Sequence, residues 1–229
     1  MTCSPYALFR YLLTQADLSE YVHVWVIDDF QDNQYQMELY KEYENVKFIS
    51  RQSVEYRQYL ATAKYLINNV SFSGFFTKRE GQIYLDTWHG IPLKTLGFDI
   101  PAGKVSAGNT ARNLLAADYL ISPNPFMTQI YKQAFKMEGL YQGKILEEGQ
   151  PRNDRFFHTD RKTIMDKLLK SGVNIDPSKK LILYAPTWKG SKYSSPDTSL
   201  DAYFELIHTV EENIDTSKYQ LLVKPHQIV

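Results

Sequence analysis

Short runs rich in β-branched and aromatic residues alternate with longer segments of helical period along most of this chain, and that alternation leaves few folds open. Strands joined by helix-length crossovers pair in parallel, so the pattern predicts an α/β class protein with a doubly wound parallel sheet covered by helices on both faces. The predicted strands are Val22–Ile27, Val46–Ile49, Tyr65–Asn68, Gln82–Asp86, Tyr119–Ser122, Ile145–Glu148, Leu181–Ala185 and Leu221–Lys224. Helices are predicted over Pro5–Ala16, Gln34–Tyr43, Val54–Ala63, Thr110–Ala117, Pro125–Lys136, Arg161–Ser171 and Leu200–Asn213. Pro5 and Pro125 suit first helical turns, with Ser4 and Asn124 as expected caps.

A charged helix, then Gly172 and the turn-like Asp176–Pro177–Ser178, separates two β-rich series, which places a domain boundary between residues 1–157 and 158–229. The first domain carries six of the strands. The second shows two before Val229, too few to cover a core, so the sequence reads as incomplete. Its opening in a helix, where a doubly wound domain usually begins with a strand, gives the same expectation.

Charge narrows the partners. Lys plus Arg and Asp plus Glu are equal at 26 each, so no whole-chain field favours nucleic acid, and any basic site must be local. The single cysteine, Cys3, rules out an intrachain disulfide framework and a cysteine zinc cluster, and fits a reducing, cytoplasmic compartment. No apolar run reaches the ~20 residues that span a bilayer, and Asp17 and Glu20 interrupt any signal-like start, so the chain reads as soluble. The 17 tyrosines are read mainly as packing residues.

Ligands of open α/β sheets sit beyond the carboxyl ends of strands, so the residues that follow each strand are the candidates. Thr87–Trp88–His89–Gly90–Ile91–Pro92–Leu93–Lys94 follows the fourth strand, Pro123–Asn124 the fifth, and Gly149–Gln150–Pro151–Arg152–Asn153–Asp154 the sixth. Pro186–Thr187–Trp188–Lys189–Gly190 follows the seventh, and Lys224–Pro225–His226 closes the eighth. Together they suit a phosphorylated ligand. His89, on a tight turn before Gly90, is the candidate base for an attacking hydroxyl. His226 has weaker local support. The Arg152 guanidinium is suited to gripping two phosphate oxygens; the competing reading pairs it with Asp154 as a loop-stabilising ion pair. Lys94, Lys189 and Lys224 are either phosphate-holding charges or simply solvated, and convergence is what favours the first. His23, His158 and His208 read as structural, and Thr77–Lys78–Arg79–Glu80 as a polar loop. Neither a phosphate-binding Gly-Lys loop, nor a dinucleotide glycine triplet, nor an Asp-x-Asp pair is present, so no metal or cofactor is required.

These motifs resemble a known family. Tyr84–Gly97, YLDTWHGIPLKTLG, is similar to the Thr-Trp-His-Gly-Thr-Pro-Leu-Lys signature of the CDP-glycerol glycerophosphotransferases that build teichoic-acid-type polymers. DYLISPN (Asp118–Asn124), GQPRNDRF (Gly149–Phe156), LILYAPTWKG (Leu181–Gly190) and LLVKPH (Leu221–His226) follow in the family's order. Ile91, Gln150 and Gln227 depart from its usual Thr, aromatic and Pro.

The resemblance implies a GT-B-like architecture of two Rossmann-like domains, an acceptor-side domain over 1–157 and an incomplete nucleotide-side one over 158–229. It implies transfer of glycerol phosphate from CDP-glycerol, or ribitol phosphate from CDP-ribitol, to a hydroxyl of a lipid-linked polymer, with release of CMP. His89 becomes the general base, and His226 a group that binds or protonates the diphosphate. Trp88, Gly90, Lys94, Asn124, Arg152, Asp154, Thr187, Lys189 and Lys224 become substrate-binding candidates. Peripheral attachment at the inner face of the membrane follows from the lipid-linked acceptor. Two alternatives remain: a GT-B glycosyltransferase using a nucleotide sugar, and an inactive truncated acceptor-binding module.

Overall fold

The structure, a computed structural model, describes residues 3–101, 104–186, 189–192, 195–197 and 200–226. The chain divides into two compact units, Met1–His158 and Thr159–Val229.

In the first unit, helix α1 (Ser4–Leu12) precedes strand β1 (His23–Ile27), helix α2 (Gln34–Leu39), strand β2 (Val46–Ser50) and helix α3 (Val54–Thr62). Strands β3 (Tyr65–Asn68) and β4 (Ile83–Asp86) follow, then helix α4 (Lys104–Ala116), β5 (Tyr119–Ile121), helix α5 (Pro125–Ala134), β6 (Lys144–Leu146) and the short helix α6 (Arg155–His158). The second unit holds α7 (Arg161–Lys170), β7 (Lys180–Tyr184), β8 (Lys189–Lys192), β9 (Ser195–Asp197), α8 (Asp201–Asn213) and β10 (Tyr219–Val223).

All eight expected strands form, and they pair in parallel as the crossover lengths require. The pairing differs from a single sheet, however. β3, β4, β5 and β6 make one sheet in sequential order, whereas β1 and β2 pair as a separate ribbon. Both share one core: Ile49 of β2 packs with Tyr56 and Leu60 of α3, Leu66 of β3 and Tyr84 of β4, with Val24 and Val26 of β1 against them. Phe72 packs tilted and Phe76 edge-on against Tyr84, at 5.2 and 6.0 Å between ring centroids. A second core, beneath α5, joins Trp88, Leu114, Leu120, Met127, Tyr131, Ala134 and Phe135.

Several boundaries moved for local reasons. α1 stops at Leu12 rather than Ala16, because the Thr14 hydroxyl and the Gln15 amide both donate to the Tyr11 carbonyl and compete with helix continuation. Ser4 is not its cap. Cys3 holds that position without a side-chain bond, and the Ser4 hydroxyl donates instead to Gln150 Oε1 at 2.9 Å. α4 begins at Lys104, earlier than Thr110, despite the unfavourable Gly108 and Asn109. Its amides are used by the neighbouring loop: Asn113 accepts from Phe72 N–H at 2.8 Å, and the Asn109 amide donates to the Phe72 carbonyl at 2.9 Å. β6 ends at Leu146, since β5 offers its last pairing at Ile121 and leaves Glu147 and Glu148 exposed. The antiparallel β8–β9 pair and α6 were not anticipated; KGSK and SPD carry no alternating apolar signal.

Several tyrosines of the first unit serve packing, Tyr56, Tyr84 and Tyr131 being buried, while others such as Tyr11 and Tyr35 are exposed. Tyr6 and Phe9 of α1 meet Trp25 and Tyr40, with Phe9 5.0 Å from Tyr40 and 5.3 Å from Trp25, and the Tyr6 and Tyr40 hydroxyls lie 2.8 Å apart.

Candidate active site

The four-stranded sheet delivers its carboxyl ends to one rim. Thr87 N–H donates to the Asn68 carbonyl and Ser122 N–H to the Leu146 carbonyl, both at 2.8 Å, so the ladder runs on into the loops that carry the candidates. At the end of β3, the Asn68 carboxamide oxygen accepts from Asn69 and Val70 N–H at 2.8 and 3.2 Å, which fixes the turn. That turn aims the Asn69 carbonyl at His89.

The His89 Nδ1 atom lies 2.7 Å from the Asn69 carbonyl oxygen. A carbonyl only accepts, so Nδ1 carries the proton. The neutral imidazole then presents an Nε2 lone pair on an exposed side chain, the tautomer a general base needs.

Beneath His89, Trp88 serves as its platform. The two rings stack at 4.3 Å with planes 27° apart. Trp88 was expected among the substrate-binding residues; it is instead 6% exposed, edge-on to Tyr131 at 5.9 Å and Phe135 at 5.7 Å. Its side chain belongs to the core, and its backbone adopts φ +48°, a left-handed conformation uncommon for a bulky residue. Trp88 N–H donates to Asp86 Oδ1 at 2.8 Å, and the Tyr84 hydroxyl donates to Asp86 Oδ2 at 2.9 Å.

Asp86 is 1% exposed, and burial pushes its carboxyl from 3.8 up to about 7, against the lowering effect of the Trp88 N–H and the Tyr84 hydroxyl. Such a group binds more protons folded than unfolded between the two values, so its contribution to stability is full below the lower value and is lost as pH rises through the higher one. The unfolding free energy of the wild type minus that of Asp86→Asn is therefore expected to fall by roughly 2–3 kcal/mol between pH 5 and pH 8 in denaturant titrations. A flat difference contradicts the buried-acid assignment.

Arg152 comes to the same place from the third loop. Gly90 has φ +149°, and a Cβ there would stand 3.3 Å from Arg152 Nη2. The missing side chain lets the guanidinium lie against the residue after His89. The competing ion pair is not formed: those found among the described residues do not include Arg152 with Asp154, and Asp154 is exposed. Gln150 is buried and held by Ser4 of α1, which anchors the Arg152 loop to the first helix.

The remaining candidates divide by place. Lys94 is exposed on the loop after His89. Asn124 caps α5, its side-chain oxygen accepting from Met127 N–H at 2.9 Å, as the sequence suggested. Asn124→Ala is expected to lower stability by about 1 kcal/mol in thermal or denaturant unfolding, with Asn124→Ser restoring it. In the second unit, Lys224 N–H extends the ladder to the Tyr184 carbonyl at 2.9 Å and His226 lies just beyond. Lys189 begins strand β8 rather than lying in a loop, and Thr187 is outside the described residues.

Sequence reading missed Asn69 and Asp86. Asn69 contributes only its carbonyl, which residue identity does not reveal. Asp86 left a signal: Tyr84 and Asp86 share one face of β4, an acid on the buried side of a strand.

Among known proteins, the family described as CDP-Glycerol:Poly(glycerophosphate) glycerophosphotransferase matches residues 1–229. A teichoic acid poly(glycerol phosphate) polymerase of Bacillus spizizenii is 32% identical over 100% of this chain and 57% of its own length. A teichoic acid glycerol-phosphate transferase of Staphylococcus aureus is 30% identical over 99% of this chain and 57% of its own. A solved structure of the wall teichoic acid polymerase TagF superposes with TM-score 0.73 at 27% identity, covering 98% of this chain and 53% of that one. A variant of TagF soaked with CDPG gives 0.73 at 26%, over 99% of this chain and 52% of that one. The chain thus spans about half the length of these relatives. Its fold is the α/β, GT-B-like one that the resemblance implied. The match along all 229 residues, and the His89 loop at the head of a parallel sheet, make this chain a member of the CDP-glycerol:poly(glycerophosphate) glycerophosphotransferase family.

Proposed function

We propose that the chain is the acceptor-side domain, with the opening of the nucleotide-side one, of a transferase that moves glycerol phosphate from CDP-glycerol to a hydroxyl of a lipid-linked teichoic-acid-type polymer. The observation that carries this reading is the fixed tautomer of His89, whose Nδ1–H is held by the Asn69 carbonyl at 2.7 Å. The acceptor hydroxyl gives its proton to Nε2 as its oxygen attacks the β-phosphorus. A new O–P bond forms, the β-phosphorus–oxygen bond to the α-phosphate breaks, and CMP leaves with that oxygen. Most of the catalysis in such transfer is positioning and charge stabilisation. Arg152, close to Gly90, is suited to the phosphoryl oxygens by its planar fork. His226 serves the diphosphate of the donor, binding it or protonating the departing CMP, with Lys224 two residues before it and Thr187 and Lys189 on the segment that follows β7.

The family's description agrees with this donor, and the names of the relatives agree with this polymer class. No helix among the described residues is long and apolar enough to cross a membrane, which is compatible with peripheral attachment at the cytoplasmic face. The test is a donor panel. The full-length enzyme, given a lipid-linked glycerol phosphate primer, is expected to release CMP from CDP-glycerol and to extend the primer. Preference for CDP-ribitol would change the polyol and keep the chemistry. Nucleotide release from UDP-sugars alone would replace the reading with glycosyl transfer.

A further inference from the structure

We infer that Asp86 is a positioning residue for this transfer: its carboxyl oxygen, accepting from the Trp88 amide, helps hold Trp88 in the left-handed conformation and thereby sets where the His89 imidazole stands. The inference rests on the reading of His89 as the base.

Trp88 at φ +48° is disfavoured by its own Cβ, so something outside the residue must hold it there. Three things do. Its ring packs edge-on against Tyr131 and Phe135, its N–H donates to Asp86 Oδ1 at 2.8 Å, and its carbonyl accepts from the Thr87 hydroxyl at 3.2 Å. The Asp86 bond fixes the peptide that enters Trp88 and the Thr87 bond the carbonyl of the peptide that leaves it, so with the ring seated both backbone dihedrals of Trp88 are set. His89 is the next residue, stacked on the indole at 4.3 Å, and its Nδ1 must still reach the Asn69 carbonyl. A rotated Trp88 peptide breaks that reach.

Asp86 is itself held. The Tyr84 hydroxyl, on the same face of β4, donates to its second oxygen at 2.9 Å, which orients the carboxyl group toward the Trp88 amide. No ion pair among the described residues includes Asp86, so charge pairing does not explain an acid buried there. Both hydrogen bonds to its side chain come from donors, and one of these is the amide of Trp88, the residue before the base.

The experiment is a double-mutant cycle in the full-length enzyme, with kcat and KM for CDP-glycerol measured on a lipid-linked primer. Asp86→Ala is expected to lower kcat at least about tenfold with KM changed by less than about twofold, because the loss falls on the base and not on donor binding. Asp86→Asn, whose carbonyl oxygen can still accept from Trp88 N–H, is expected to stay within about threefold of wild type. In a His89→Ala background, Asp86→Ala is expected to add less than about threefold, since its effect passes through the imidazole already removed. A full further loss in that background, or an unchanged kcat in the single variant, overturns the inference. If Asp86→Ala does not fold, Tyr84→Phe carries the test, with a smaller fall in kcat that must also vanish without His89; persistence there overturns the inference equally. A His89→Ala enzyme that keeps its activity would instead remove the base itself, so the two failures are told apart.

Discussion

Replacing His89 with alanine in the full-length enzyme is expected to lower kcat about 10²- to 10⁴-fold while leaving the protein folded, the usual range for removing a general base. The fold should survive because the imidazole is exposed, and Trp88 rather than His89 fills the core beneath the loop. Steady-state CMP release from CDP-glycerol, alongside a thermal unfolding curve, separates the two effects. KM for the donor should change little, because the proton is taken from the acceptor. A loss smaller than about threefold would remove His89 from the chemistry. Asn69 offers no comparable handle, since its contribution is a main-chain carbonyl that substitution leaves in place.

Gly97→Ala is expected to cost roughly 3 kcal/mol of stability or more, from left-handed strain together with overpacking. Gly97 has φ +60°, and a Cβ there would stand 2.3 Å from the Ala134 carbonyl oxygen and 3.0 Å from the Phe135 ring. Neither neighbour yields easily, because Ala134 ends α5 and both residues lie in the core. Gly139→Ala is the control. Its φ of +72° imposes a similar backbone penalty, but nothing lies within 4 Å of the added methyl, so about 1 kcal/mol is expected. Denaturant unfolding of both variants isolates the collision from the conformational cost. Equal destabilisation would mean that the 3₁₀ turn Gly97–Asp99 is not seated on α5 as described.

Periodicity carried the strands well and the site partly. Tyr65–Asn68 was legible to the residue, since an apolar run between turn signals leaves one reading. Ile145–Glu148 was misjudged because a strand ends where its neighbour stops pairing, and Ile121 of β5 sets that limit. α4 was cut short for a related reason: asparagines that weaken an isolated helix are here bound to the Phe72 loop. At the site, His89 and Arg152 could be named because their chemistry resides in their side chains. The backbone of Trp88 could not, since nothing in an indole announces a positive φ. The separation of β1–β2 from the main sheet was equally hidden, because crossover length predicts parallel pairing but not which strands share an edge.

The loop that carries His89 touches α5 at both ends, through Trp88 against Tyr131 and Phe135 and through Gly97 against Ala134. Between these two moorings Ile91 and Leu93 are exposed, Leu93 to 94%. A span fastened at each end works as an exchangeable cassette: its outward side chains can be rewritten while the imidazole keeps its address. Change is thus cheap in the middle of the loop and costly at its posts.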